Sequence, residues 1–138
     1  MPDVRTLQLV VSAYLVGLIW LIQLIHYPSF TSISAERWNF FHQAHTAAMG
    51  LLAGGPMVIA LLLGLRLAWR TGGPLQYTAL ACELAAWIVT FAISVPLHQR
   101  LAAGPDPQAI ALLISTNWLR TAAWTVKLGV LLMQRPVS

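Results

Sequence analysis

Charge is scarce in this sequence. Of its 138 residues, 8 are Lys or Arg and 4 are Asp or Glu, a charged share of 9%, where soluble domains carry about 25%. Hydrophobic residues make up 58%. A soluble fold of this length could not bury that much apolar surface, nor cover the rest with so few charges. A bilayer acting as solvent removes the problem. Acids are the rarest charges: Asp3, Glu36, Glu83 and Asp106 are the whole set, too few for a carboxylate-rich di-iron centre. Cysteine is almost absent too. Cys82 stands alone inside an apolar run, which excludes an internal disulfide and the CxxCH attachment of covalent haem. Basic runs are missing as well. The net charge is +4, but the cations are scattered singly, which suits membrane flanks rather than a nucleic-acid partner. Length and composition imply one domain over residues 1–138.

What the sequence does have is long apolar runs. A spanning helix needs roughly 20 mostly apolar residues. Leu7 to Ile25 supplies one, Ala47 to Trp69 a second, Leu75 to Pro96 a third and Gln108 to Met133 a fourth, the most polar. No small-residue cleavage site precedes His26-Tyr27-Pro28, so the first run reads as a retained span. Gly54-Gly55-Pro56 kinks the second span rather than ending it. Arg70-Thr71-Gly72-Gly73-Pro74 and Ala103-Gly104-Pro105-Asp106-Pro107 are turns. Joints this short favour antiparallel neighbours. The expected fold is all-α, an integral membrane four-helix bundle running up-down-up-down, with the lipid bilayer as its partner.

Charge sets the orientation. Arg5, Arg66, Arg70 and Arg135 share one side with both termini, and Lys127 is close to it. Arg37, Arg100 and Arg120 lie at the other, diluted by Glu36 and Asp106. The positive-inside rule then puts both termini in the cytoplasm.

Under this topology the polar residues gather. His26 ends the first span, His42 and His45 precede the core of the second, and His98 ends the third. Asn117 and Arg120 lie in the opening part of the fourth. All six fall at the extracytoplasmic face, and no histidine falls at the other. His42 and His45 are spaced to share one side of a helix, with Ser34 as its N-cap and Glu36 in its first turn. Ionisable groups at membrane depth cost several kcal/mol unless they face the bundle and find partners. Imidazole suits copper, iron or zinc, so His26, His42, His45 and His98 are candidate metal ligands, with Met49 a further soft one. Arg120 and Asn117 are candidates to position a substrate or hold an anionic oxygen. Trp38 and Trp118 could stack a flat substrate. The bland reading of each also stands: interfacial histidines that hydrogen-bond to headgroups or carbonyls, an arginine that snorkels, an asparagine that bridges helices. Glu83 and Lys127 reach similar depths on the third and fourth spans and are expected to pair.

The runs Val95-Pro96-Leu97-His98-Gln99-Arg100-Leu101 and Asn117-Trp118-Leu119-Arg120-Thr121 resemble small four-span membrane proteins grouped with the anthrone oxygenases. These carry Val-Pro-x-Asn-x-x-Leu and then Asn-x-x-Arg; His98 stands at the first asparagine. His26-Tyr27-Pro28 and Phe41-His42-Gln43-Ala44-His45 are similar to a pattern in bacterial four-span proteins. The resemblance implies a bacterial inner-membrane oxygenase or related oxidoreductase acting on a hydrophobic aromatic compound, with His98, Asn117 and Arg120 lining the site.

These readings lead to a membrane oxidoreductase or oxygenase with a polyhistidine metal site, working on a lipid-soluble aromatic or quinone-like molecule. Two alternatives stand beside it. One is an electron-transfer protein with non-covalent haem between two histidines. The other is a non-enzymatic metal-binding or structural subunit, for which Gly17, Gly50 and Gly54-Gly55 would allow close helix approach, in a homo-oligomer or larger complex.

Overall fold

The computed structural model describes residues 3–134, and among them every regular element is helical. Four rods follow one another. They are α1 (Val4–Ser32), α2 (Ala35–Arg70), α3 (Pro74–Leu101) and α4 (Pro107–Met133). The first three are long and apolar enough to cross a membrane. At 27 residues α4 is also long enough, at about 40 Å, but it is more polar and turns those polar groups inward.

Local chemistry sets the ends. Asp3 caps α1 by accepting the Thr6 amide at 2.8 Å. Ser34 stands at the N-cap position of α2 with extended backbone and Glu36 in the first turn, although its hydroxyl makes no capping bond. Gly72 and Gly73 reverse the chain with φ of +60° and +96°, values that only glycine adopts without strain. Pro74 then opens α3 with its fixed φ. Asp106 caps α4 by accepting the amides of Gln108 and Ala109 at 3.0 and 3.1 Å, and it pairs with Arg100 at 2.5 Å. The Ala109 amide, followed by Arg100, holds the Asp106 carboxyl below its ordinary range. Both expected turns are present.

Val4–Leu21 of α1 packs on Gly55–Arg70 of α2 and on α4, while α3 packs on α4 and on the same part of α2. Arg5 donates to the Gln134 carbonyl, so the start of α1 lies beside the end of α4. The rods therefore run up-down-up-down around one core, which includes Leu15, Ile19, Met57, Leu113 and Trp124.

Polarity is inverted relative to a water-soluble bundle. Gln8, Ser12, Gln23, Gln76, Glu83, Asn117, Arg120 and Lys127 are buried, while Val10, Leu24, Ile25, Leu62, Ile88, Phe91 and Trp69 are exposed. In water each exposed Leu or Ile would forgo roughly 1.5–3 kcal/mol of burial; against lipid tails it forgoes almost nothing. Glu83 and Lys127 meet across α3 and α4 at 2.7 Å, both with side chains at 0% exposure, as expected. Gly64 makes room for Glu83 and Gln8, since a Cβ there would lie 3.1 Å from Glu83 Oε2 and 3.3 Å from Gln8 Nε2.

Three rods widen at one point each. The π-helical turns are Ile22–His26 in α1, Gly50–Gly54 in α2 and Thr90–Ser94 in α3. Each is followed, after one residue, by a proline: Pro28, Pro56 and Pro96. Proline lacks an N–H, and its ring collides with the carbonyl four residues back. One extra residue in the turn relieves the collision. The Gly54-Gly55-Pro56 triplet thus widens α2 without interrupting it. The carbonyl facing Pro56 belongs to Leu52, and the Tyr14 hydroxyl donates to it at 3.0 Å.

Candidate functional site

Beyond its widened turn, α2 departs from its neighbours. Gly55–Arg70 packs on both α1 and α3, but Ala35–Met49 stands off from the bundle. Large side chains bridge the gap. Trp38 is fully buried and donates from Nε1 to the Leu101 carbonyl at 2.8 Å. Phe30 at the end of α1 meets Trp38 edge-on at 5.8 Å. His42 and His45 complete the bridge.

The four histidines converge there. His26 Nε2 and His45 Nδ1 are 2.7 Å apart, and His42 Nε2 and His98 Nδ1 are 3.2 Å apart. The His45 and His98 rings, one from each pair, have centroids 5.0 Å apart. Within each pair one ring donates and the other accepts. The Tyr27 hydroxyl lies 3.3 Å from His98 Nε2. Phe30 packs edge-on against His26 and His45 at 5.4 and 5.1 Å. The widened turns set this geometry. One extra residue rotates the rest of the helix by about 100°, and the turns end at His26, begin just after Met49, and end four residues before His98.

A second polar chain abuts the first. Arg120 Nη1 donates to Asn117 Oδ1 at 3.2 Å, Asn117 Nδ2 donates to Gln23 Oε1 at 2.9 Å, and Gln23 Nε2 donates to the Ile114 carbonyl at 3.1 Å. All three side chains are buried. The Arg120 guanidinium also lies near the Tyr27 hydroxyl, so the two networks adjoin.

A pocket of about 520 Å³ opens where α2 and α3 part. His42, His45, His98 and Arg120 line its polar end. Ile22, Met49, Ala53, Met57, Phe91 and Val95 line most of the rest. A larger pocket of about 640 Å³ lies at the opposite end of the bundle, bordered by Arg5, Arg66 and Arg70 and far from any histidine.

The six polar positions singled out in the sequence thus meet in space, but in different roles. His42, His45, His98 and Arg120 face the pocket. His26 stands behind His45, and Asn117 stands behind Arg120. Met49 reaches the pocket; Glu36 is exposed. The stacking role given to two tryptophans is corrected. Trp38 is enclosed and stacks on His42, with centroids 5.8 Å apart and planes 14° apart. Trp118 lies outside, edge-on to Trp20 at 5.7 Å. Sequence reasoning passed over Tyr27 and Gln23. Tyr27 sits inside the His26-Tyr27-Pro28 motif, where the proline marked a widened turn and hence an altered register.

The histidine spacing distinguishes the two pairs. Two imidazole nitrogens on one tetrahedral ion, each about 2.0–2.1 Å from it, lie about 3.3 Å apart. His42 and His98 have that spacing. His26 and His45 are closer, at hydrogen-bond distance. Among the described residues no group of three or more His, Cys, Asp or Glu side chains already converges as a metal-ion site. No family model matches the chain, and no curated protein or solved structure shows significant similarity to it.

Proposed function

We propose that the chain is a four-span membrane oxidoreductase of the oxygenase type. In this reading it holds one transition metal at the histidine cluster and acts on a lipid-soluble, aromatic or quinone-like molecule. One observation carries the reading: histidines from three rods gather against an apolar pocket that opens between two of the rods. Such a pocket takes its substrate sideways from the lipid.

In this reading the histidines have distinct roles. His42 Nε2 and His98 Nδ1 would be two ligands, and a turn of the His45 ring would supply Nε2 as the third. His26 would then bond to the far nitrogen of His45, and Tyr27 to the far nitrogen of His98. Such outer partners fix the tautomer and aim of a ligating ring. This gives His26 a supporting role rather than a place in the ligand set. Copper or iron would supply redox chemistry with dioxygen, and zinc would polarise a substrate oxygen. Haem fits the geometry less directly, because the paired rings are in contact and would have to separate by the thickness of a macrocycle. The arginines around the larger pocket support a reading in which both termini face the cytoplasm of a bacterial cell, with the site then toward the outer face of the inner membrane.

A metal-free reading draws on the 2.7 Å contact between His26 and His45. Those two rings could pass a proton between the pocket and His26, and His42 with His98 could do so between the pocket and the Tyr27 hydroxyl, by general acid–base transfer. Elemental analysis with an optical spectrum decides between them, on protein purified in detergent without chelator. About one copper, iron or zinc per chain, lost in His42→Ala/His98→Ala, is expected. A folded wild-type protein without metal would refute the metal reading.

A further inference from the structure

Arg120 is a buried cation, at 6% exposure, and no acidic side chain serves it. Each of the chain's four Asp and Glu carboxylates is placed elsewhere. Asp3 caps α1, Glu36 is exposed at the start of α2, Glu83 pairs with Lys127, and Asp106 pairs with Arg100. Among the described residues the bundle therefore neutralises one buried cation, Lys127, and leaves the other without a counter-ion. That omission costs several kcal/mol when the charge is closed off from water, unless something else supplies the anion.

The guanidinium is partly committed. Nη1 is held by Asn117, while Nε is buried without a hydrogen-bond partner. The Nε side of the fork is the edge left to a ligand. Ser94 Oγ, on the α3 wall of the same pocket, is a second buried group with no partner. Away from these donors and the histidines most of the wall is apolar, with Met57, Phe91 and Val95 among the residues on its α2 and α3 sides. A planar guanidinium fork and a hydroxyl that line one pocket fit a carboxylate, which takes two parallel bonds from one arginine. An apolar channel that opens toward lipid fits a hydrocarbon chain.

We propose that this pocket binds a long-chain carboxylic acid, its carboxylate on Arg120 and Ser94 and its chain leaving between α2 and α3. The inference keeps the lipid-soluble ligand of the reading above but puts a long-chain acid in place of an aromatic or quinone-like molecule, and it rests on that reading only for calling the ligand a substrate; binding itself needs no metal.

The test is displacement of tritiated hexadecanoic acid from purified protein in nanodiscs of zwitterionic lipid. Competitors are hexadecanol, hexadecylamine and a hydroquinone with the same chain. The acid should bind at least about tenfold tighter than the alcohol, the effect of one charge-assisted hydrogen bond, and tighter than the amine or the hydroquinone. Arg120→Gln should abolish the preference and Arg120→Lys should keep part of it. Ser94→Ala should weaken the acid more than the alcohol. Equal binding of acid and alcohol, or tighter binding of the hydroquinone, would overturn the assignment, and wild-type protein alone can give either result. The series is repeated after a chelator wash. A preference that survives in metal-free protein supports the carboxylate site even if the redox reading fails. A preference that needs metal and ignores Arg120→Gln would place the carboxylate on the ion and refute the role of Arg120.

Discussion

Two buried cations on one helix, Arg120 and Lys127, show how single residues divide between structure and function. Lys127 lies 2.7 Å from Glu83, with its Nζ also 4.8 Å from the Trp124 ring centroid. This pair closes the end of the bundle away from the histidines. Removing one member leaves the other charged and enclosed, at a cost of about 3–5 kcal/mol. Glu83→Gln is therefore expected to lower thermal stability in detergent sharply while any surviving folded protein keeps its metal content. A stable variant that had lost its metal would assign Glu83 to the site. The pairing was legible in the sequence, because helical rise alone puts positions 83 and 127 at one depth. The support given by Gln23 and Tyr27 was not legible. Both are ordinary residues for an apolar helix end, and their roles appear only once a widened turn has rotated them toward α3 and α4.

At the scale of the helix, three prolines do the same work. Each forces an extra residue into the turn before it, and each turn borders the pocket or the histidines. The sequence marks these places clearly, yet it reads as a kink, since a proline pattern does not say whether the chain bends or widens. The difference matters for His98, which follows Pro96 by two residues. Pro96→Ala restores an N–H and removes the ring collision, so α3 can return to regular α-helical spacing. The rotation of about 100° per residue would carry His98 out of line with His42. The expected outcome is unchanged helical content by circular dichroism with at least about a tenfold loss of metal affinity, the scale of effect seen when support for a ligating histidine is removed. Unchanged affinity would show that the widened turn does not set the position of His98.

Across the whole molecule, composition gave most of the architecture. Four apolar runs and two short turns implied four antiparallel helices, and the structure has them, with α2 beginning well ahead of its apolar core. Convergence of the six polar positions was also readable, because up-down topology sends alternate helix ends to the same face. Which of them face the pocket was not readable, since that depends on how far α2 stands off from α3, a matter of side-chain bulk at Trp38, His42 and His45. The inverted polarity gives this arrangement its meaning: groups that water would have solvated are drawn inward, where they pair with one another or line the pocket. The central claim is that His42, His45 and His98 hold one metal beside that pocket. X-ray absorption at the metal edge of the purified protein tests it most directly. Three imidazole nitrogens at about 2.0–2.1 Å, falling in number when His45 is replaced by alanine, are the expected result. A metal bound through other ligands, or an absorption spectrum that the His45→Ala change leaves untouched, would contradict it.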